Sequence, residues 1–329
     1  MKNRLDIVIV NWNTGDRLQA CVDSIRDSES SQHLLGDVVI IDNGSTDGSS
    51  DQVDTSGLSV RIVRNRTNLG FAAACNQGAS KGNSPFILFL NPDVILGPSS
   101  LYEAVEYFEG RLTRQVGILG IQLRNENGEV SPTCSRFPGA GTLVAKSLGL
   151  SSMLPKVFRP ALMTEWDHQE SRLVDQVIGA FFMVDRKLFE RLDGFDQRFF
   201  VYYEELDFAV RARNAGWKSY FLASTYAMHE GGGSSKQVQA ARYFYNSRSR
   251  VRYARKHFRV GSALIVSLSV LVGEPCSRII QSLLRRDTNS IKNVAQATLR
   301  LWGTFLGMIA APEVKAPLLT FSLEKGKNA

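Results

Sequence analysis

The sequence predicts an α/β fold, a Rossmann-like mixed sheet flanked by helices, with a helical extension at the C-terminus. Short apolar runs rich in β-branched residues recur at Ile7–Val10, Asp37–Ile41, Val60–Val63 and Phe86–Leu90, and stretches with helical spacing separate them. Each run ends in polar, turn-forming residues. Strand and helix alternating at this short interval is the pattern of a doubly wound sheet.

The elements follow in order. Ile7-Val8-Ile9-Val10 is closed by Asn11-Trp12-Asn13, after which Leu18, Cys21, Val22 and Ile25 fall on one helical face. Asp37–Ile41 is a second strand, stopped by Asp42-Asn43-Gly44-Ser45-Thr46-Asp47-Gly48. The third, Val60–Val63, leads through Asn65-Arg66-Thr67-Asn68-Leu69-Gly70 into a small-residue helix from Phe71 to Ser80. The fourth, Phe86-Ile87-Leu88-Phe89-Leu90, has no polar residue and reads as a strand covered on both faces. Asn91-Pro92-Asp93 follows it directly, where open α/β sheets keep their ligands. Asp93 is there either a hard oxygen ligand for a divalent cation or part of an ordinary turn.

Further on, Ser99–Leu112 reads as an amphipathic helix, Val116–Ile121 as a strand, and Asn127-Gly128 as a hairpin turn. From Ser131 to Ser171 the pattern dissolves into Pro, Gly, Ser and isolated aromatics, expected to form an excursion of irregular loops and short helices. Order returns with the apolar run Val177–Val184 and a short helix over Arg186–Leu192. Phe199-Phe200-Val201-Tyr202-Tyr203 then feeds Glu204, Glu205 and Asp207 onto the start of a helix continuing to Ala215. Acids in a first helical turn suit the helix dipole, but adjacent carboxylates behind an apolar run exceed what a cap requires. Asp207 also has Arg211 at i+4 as a partner. After the strand Lys218–Leu222, His229 stands just before Gly231-Gly232-Gly233-Ser234-Ser235-Lys236, a composition suited to a mobile lid.

The C-terminal part differs in kind. Arg242, Arg248, Arg250, Arg252, Arg255, Lys256 and Arg259 alternate with tyrosines and phenylalanine, followed by apolar runs at Gly261–Gly273 and Leu299–Ala311. Runs of about 13 residues fall short of the roughly 20 that a spanning helix needs. They are expected to dip into one leaflet beside a basic belt, as an interfacial segment would. A helical subdomain or a dimer interface is the alternative.

Composition bounds the partners. A chain of 329 residues with 43% hydrophobic content can bury a large core, and a net charge of +7 with pI ≈ 9.3 suggests an anionic partner. Cys21, Cys75, Cys134 and Cys276 show no CxxC spacing, so neither a zinc site nor a disulfide framework is expected. Asp6 and Asn11 interrupt the only apolar run near the start, so no signal peptide is expected. The expected location is the cytoplasm, peripheral on the cytosolic face of the inner membrane. No GxGxxG follows the first strand and no GxxxxGK[ST] occurs, so a bound diphosphate would be neutralised by a metal rather than a glycine loop.

Asn11, Asn13, Asp42, Asn68 and Asp93 each fall just past a strand, and together they outline a nucleotide pocket. Ile-Val-Asn-Trp-Asn, Ile-Asp-Asn-Gly-Ser-Thr-Asp-Gly, Asn-Leu-Gly-Phe-Ala-Ala-Ala-Cys-Asn and Phe-Leu-Asn-Pro-Asp-Val, in this order, resemble family 2 glycosyltransferases of the GT-A fold. Within them the bacterial rhamnosyltransferase-like branch is the nearest likeness, over about residues 5 to 250. The resemblance implies a nucleotide-sugar donor, Mg²⁺ or Mn²⁺, and inverting transfer. It implies that Asp42 holds the base, that Asn91 lies near the ribose, and that Asp93 is the last acid of the DxD motif, with Asn91 at the first. Glu204-Glu205 resembles the family's Glu-Asp pair, which makes Glu205 the general base, with Glu204 and Asp207 as alternatives. His229 matches a histidine that some members use as a second metal or diphosphate contact.

The expected organisation is a GT-A catalytic domain over 1–250, split into a nucleotide-binding half (1–112) and an acceptor and catalytic half (113–250), with a helical membrane-associating region over 251–329. The expected reaction moves a sugar, rhamnose from dTDP-rhamnose being the leading donor, to a saccharide on a polyprenyl diphosphate at a membrane surface. The alternatives are a UDP-sugar donor, or a non-catalytic scaffold with a degenerate transferase fold. Nucleic acid is not the expected partner.

Overall fold

The computed structural model describes residues 4–28, 34–110, 115–231, 239–284 and 286–310. Among the described residues eleven strands are formed: β1 (Leu5–Asn11), β2 (Leu35–Asp42), β3 (Val60–Arg64), β4 (Phe86–Leu90), β5 (Val94–Leu96), β6 (Val116–Arg124), β7 (Cys134–Ser135), β8 (Arg172–Val174), β9 (Gln176–Val177), β10 (Phe181–Asp185) and β11 (Lys218–His229). Nine of them build one sheet in the order β3-β2-β1-β4-β10-β6-β11-β5, with β8 beside β11. β3, β2, β1 and β4 are mutually parallel, whereas β10 enters antiparallel between β4 and β6. The sheet is therefore mixed, as expected of the fold.

Alternation along the strands decides which helix covers which face. Leu5, Ile7 and Ile9 of β1 join Leu18, Cys21, Val22 and Ile25 of the Arg17–Asp27 helix and Leu101, Val105 and Phe108 of the Ser100–Glu109 helix. Val8 and Val10 face the other way, onto Ala72, Ala74 and Cys75 of the Phe71–Ala79 helix. That helix is made of small residues because it lies almost on the sheet: a Cβ on Gly78 would come within 2.3 Å of Val8 Cγ1.

The amino ends of the central strands are tied by a buried ion pair. Arg186 Nη2 donates to Asp6 Oδ2 at 2.7 Å, and its other nitrogens donate to the carbonyls of Ser84 and Ala79. Asp6 also accepts from Ser84 and from the Asp37 backbone N–H. Every polar atom that this burial takes from water thus has a partner.

Two compact units are present, Met1–Phe137 with Leu162–Phe200 and Glu204–Gly233, and Pro138–Ala161 with Val201–Tyr203 and Ser234–Ala329. The second unit is helical: Ala140–Ser147, Leu150–Met153, Gln239–His257, Val260–Leu268, a π-turn over Ser269–Gly273, Glu274–Leu284 and Thr288–Ala310. Its centre corrects the expected basic belt. Arg248, Arg250 and Arg252 are 6%, 1% and 8% exposed, so the 239–257 helix is a core element rather than an interfacial one. The reason lies in partners the sequence separates: Arg250 donates to Glu274 Oε2 at 2.7 Å, to Ser147 Oγ and to Asn246 Oδ1. Arg242, Arg255 and Arg259 remain exposed.

The apolar run beginning at residue 260 is also longer than expected. Helix continues through the π-turn over Val260–Leu284, 25 residues with an 18-residue window of mean hydropathy 1.6, and 39% of that window is buried. By length and composition it is long enough to cross a bilayer.

Candidate active site

Parallel pairing puts Asn11 and Asp42 directly opposite each other at the carboxyl ends of β1 and β2. Asn11 is fully buried, and its amide donates to Asp42 Oδ1, Ser45 Oγ and Ser49 Oγ while Thr14 donates to its oxygen. Asp42 also accepts from the Ser45 N–H and Ser50 Oγ. Asn13, at φ 51°, receives the Thr46 N–H on its side-chain oxygen. Asn68 accepts from Asn43 Nδ2 and the Gly70 N–H, both at 2.9 Å. These residues thus build the loops at the strand ends, and Asp42 keeps acceptor capacity to spare.

Asn43, given no role by the sequence reading, is the hub that joins two of those loops. It is 2% exposed, donates to Asn68 and the Gly70 carbonyl, and accepts from Asn65 and the Leu69 N–H. Gly44 lets the loops close on each other, since it sits at φ 80° and a Cβ there would meet Thr67 backbone at 2.9 Å.

Beyond β4 the chain turns and forms β5, too short for the sequence to announce. β11 runs past its expected end and pairs antiparallel with β5, placing Ala227, Met228 and His229 opposite Leu96, Ile95 and Val94. That register brings two distant residues together: His229 Nε2 lies 3.4 Å from Asp93 Oδ1, both side chains largely buried. Arg17, which pairs with Glu230, carries its charge close to Asp93. Asn91 is anchored between elements, its N–H donating to the Ala180 carbonyl at 3.0 Å.

Next to that anchor lies the acid pair. Tyr202 and Tyr203 both adopt the left-handed region, at φ 67° and 71°, and deliver Glu204 and Glu205 to the first turn of the Glu204–Asn214 helix. Glu205 packs over Gly179, where an added Cβ would lie 3.8 Å from its carboxyl carbon. The Oε2 atoms of Glu204 and Glu205 are buried without a hydrogen-bond partner among the described residues. Burial raises the pKa of both, that of Glu204 further through the charge on Glu205. Cys75 faces the same pair; its thiol is pushed up by burial and then by both glutamates. Asp207 differs, since it is fully buried against Arg211 Nε at 2.8 Å, and Arg211 is itself held by the carbonyls of Leu192 and Gly194.

The sequence profile described as glycosyl transferase family 2 matches residues 6–193, more than half of the chain. The chain belongs to glycosyl transferase family 2. Among relatives of this glycosyltransferase is the N-acetylglucosaminyl-diphospho-decaprenol L-rhamnosyltransferase of Mycobacterium tuberculosis, 28% identical over 243 residues, covering 70% of this chain and 76% of the relative. Another is the rhamnosyltransferase WbbL of Escherichia coli K12, 26% identical over 174 residues, covering 52% of this chain and 62% of the relative. These likenesses place it in the rhamnosyltransferase-like branch.

Among solved structures it resembles the mannosyltransferase PcManGT of Pyrobaculum calidifontis in complex with GDP-Man and Mn²⁺, with TM-score 0.53 at 14% identity over 94% of this chain and 81% of that one. It also resembles GalNAc-T7 with UDP, GalNAc and Mn²⁺, with TM-score 0.50 at 17% identity over 68% of this chain and 42% of that one. At such identity the likeness concerns the fold, which is GT-A.

The donor set of the glycosyltransferase fits one hard divalent cation. Asp93 and His229 are close enough to share an ion, and no cluster of three or more His, Cys, Asp or Glu suited to a metal occurs among the described residues. Magnesium-type sites of this kind take one or two protein ligands and complete their shell with phosphate oxygens and water. The expected glycine lid, Gly232 to Lys236, lies outside the described residues.

Proposed function

We propose that this glycosyltransferase binds a nucleotide sugar at the carboxyl ends of β1, β2 and β4, and transfers the sugar with inversion to a saccharide carried on a polyprenyl diphosphate. The observation that carries the reading is the convergence of Asp93 and His229 at one strand edge, in the same unit as the buried Glu204 and Glu205, whose Oε2 atoms have no hydrogen-bond partner among the described residues. The rhamnosyltransferase relatives favour rhamnose from dTDP-rhamnose as donor, and the decaprenyl-linked acceptor in the name of one of them favours a lipid-borne acceptor.

Each residue has a task in this scheme. Asp42 takes a base N–H, with Asn11, Asn13 and Asn68 holding the loops that present it, and Asn91 stands beside the ribose. Asp93 and His229 hold Mg²⁺ or Mn²⁺, which supplies charge neutralisation of the leaving diphosphate when bound. Glu205 removes the proton of the acceptor hydroxyl as that oxygen attacks the anomeric carbon, opposite the departing nucleoside diphosphate. Burial keeps the Glu205 carboxyl more basic than an exposed one, which suits a proton acceptor working near neutral pH. Glu204, beside it, is the acid whose own pKa is raised further, by the charge on Glu205. Asp207 is committed to Arg211 and so orients the helix instead of taking the proton.

Calorimetric titration with dTDP and with UDP, in the presence of Mn²⁺ or of a chelator, tests the reading. The expected result is metal-dependent binding of dTDP in preference to UDP. Preference for UDP would move the donor to the UDP sugars. Binding of neither nucleotide under any condition would overturn the pocket and favour a non-catalytic scaffold.

A further inference from the structure

The helical unit carries an apolar surface that the chemistry of transfer does not use. Met153, Leu154 and Val157 are 72%, 51% and 71% exposed, and Val260, Leu264, Ile265 and Leu268 are 87%, 58%, 58% and 53% exposed. More than a hundred residues separate the two groups in sequence, yet the segments that carry them flank one cavity. A shallow cavity of ≈ 390 Å³ lies between their elements, walled by Ala140, Val144, Leu150 and Phe158 on one side and Ile265 on the other. Leu148 and Gly273 touch along the same seam, since a Cβ on Gly273 would meet Leu148 Cδ2 at 2.7 Å.

The charge around this surface has one sign. Residues 138–161 include Lys146, Lys156 and Arg159 and contain no Asp or Glu. Between 239 and 284 the one carboxylate is Glu274, which is buried on Arg250 and bonded to Arg278. Lys146, Lys156, Arg159, Arg255 and Arg259 are exposed. A second copy of this chain would bring cationic rim against cationic rim, which is repulsive. The inward side of the 260–273 segment, Ala263, Val266, Ser267 and Val270, is packed inside the unit, so half of its circumference is committed to protein. A helix so placed lies along a bilayer rather than across it.

We propose that this face, Leu150–Phe158 together with Val260–Leu268, inserts into one leaflet of an anionic lipid bilayer, with Lys146, Lys156, Arg159 and Arg259 meeting the headgroups. The 131–171 excursion then includes a membrane wedge, not only an acceptor loop. The inference deepens the proposal of a lipid-borne acceptor by naming how the enzyme reaches it, while its physics is independent of the donor.

Flotation of the full chain with vesicles of phosphatidylcholine, with and without phosphatidylglycerol, tests it without any nucleotide. The intact protein is expected to float with the anionic vesicles and less so as salt rises. The double variants Met153→Asp/Val157→Asp and Leu264→Asp/Leu268→Asp are each expected to lose about tenfold or more of that partition. Leu173→Asp, at an exposed apolar position in the other unit, is expected to leave it unchanged. All these positions are exposed, and an unchanged circular-dichroism melt shows that the variants fold. Retained flotation of the Met153/Val157 variant overturns the wedge, as does a wild-type protein that ignores vesicles. A lipid-free dimer in sedimentation that the same variants dissociate assigns the face to self-association and overturns it too. Nucleotide titration of the same samples separates this outcome from a failure of the donor site.

Discussion

At the scale of single residues, the candidate site turns on Asp93 and His229, 3.4 Å apart, and on two buried glutamates. Asp93→Ala is expected to lose Mn²⁺-dependent nucleotide binding, and His229→Ala to weaken it by about tenfold or more, equivalent to roughly 1.4 kcal/mol. Calorimetry with and without chelator checks both. Glu205→Gln is expected to keep nucleotide affinity and lower transfer about 10²- to 10⁴-fold, the usual contribution of a positioned base. A variant transferring at the intact rate would remove Glu205 from that role. The intact enzyme's rate is expected to fall on acidification at a pH above the ordinary carboxylate range, because the buried Glu205 must give up its proton before it can accept another. Glu204 has a stability consequence of definite sign. Folding raises its pKa, so the ionised form is penalised in the native state; the penalty is absent below the ordinary value and complete above the raised one. Glu204→Gln is therefore expected to raise the melting temperature at neutral pH, the gain fading as pH falls toward the ordinary carboxylate range.

At the scale of elements, what matters is how strand ends and loops are locked. The loops after β2 and β3 meet at Gly44, where both the positive φ and the 2.9 Å approach exclude a side chain. Gly44→Ala is expected to destabilise by about 1–3 kcal/mol, measured by urea unfolding, and to weaken nucleotide binding through Asn43 and Asn68. At the opposite end of the strands, Asp6→Ala would leave the Arg186 guanidinium buried without its carboxylate. The expected loss is about 3–5 kcal/mol, with no specific effect on metal-dependent binding in whatever protein remains folded. The β5–β11 pairing is the element on which the site depends most, because without it His229 has no reason to meet Asp93.

At the scale of the whole molecule, two units of different character share one chain. The first is an α/β sheet protein whose buried thiols are inert: burial pushes Cys21 up and Cys134 to about 12, and Cys75 is raised further by its acidic neighbours. In the second, Cys276 is exposed, so a maleimide is expected to label the native chain at that residue alone, as peptide mapping would show. The second unit is built around Arg250 and Glu274. Arg250→Ala, which leaves the buried Glu274 with Arg278 as its remaining cation, is expected to cost about 3–5 kcal/mol and to expose this unit first to limited proteolysis.

The sequence by itself determined the fold class and which strand-end residues gather at one edge to form the candidate site. Short apolar runs have few ways to bury both faces, so Phe86–Leu90 had to be a central strand, and residues just past parallel strands must gather at one edge; Asn11, Asp42 and Asp93 were legible for that reason. The acid pair was legible too, because carboxylates behind an aromatic run have no local justification. Only the tertiary structure decided which side chains meet across distance. His229 reaches Asp93 through an antiparallel register set by a three-residue strand, a length at which periodicity carries no information. Asn43 and Arg17 show the same limit, since a hydrogen-bond hub and a charge close to Asp93 look in sequence like any loop asparagine or helical arginine. The arginines of the 239–257 helix mark it most clearly. Charge density along a chain suggests a surface, but whether a guanidinium is exposed depends on a partner such as Glu274, and where that partner folds to is not a local property of the sequence.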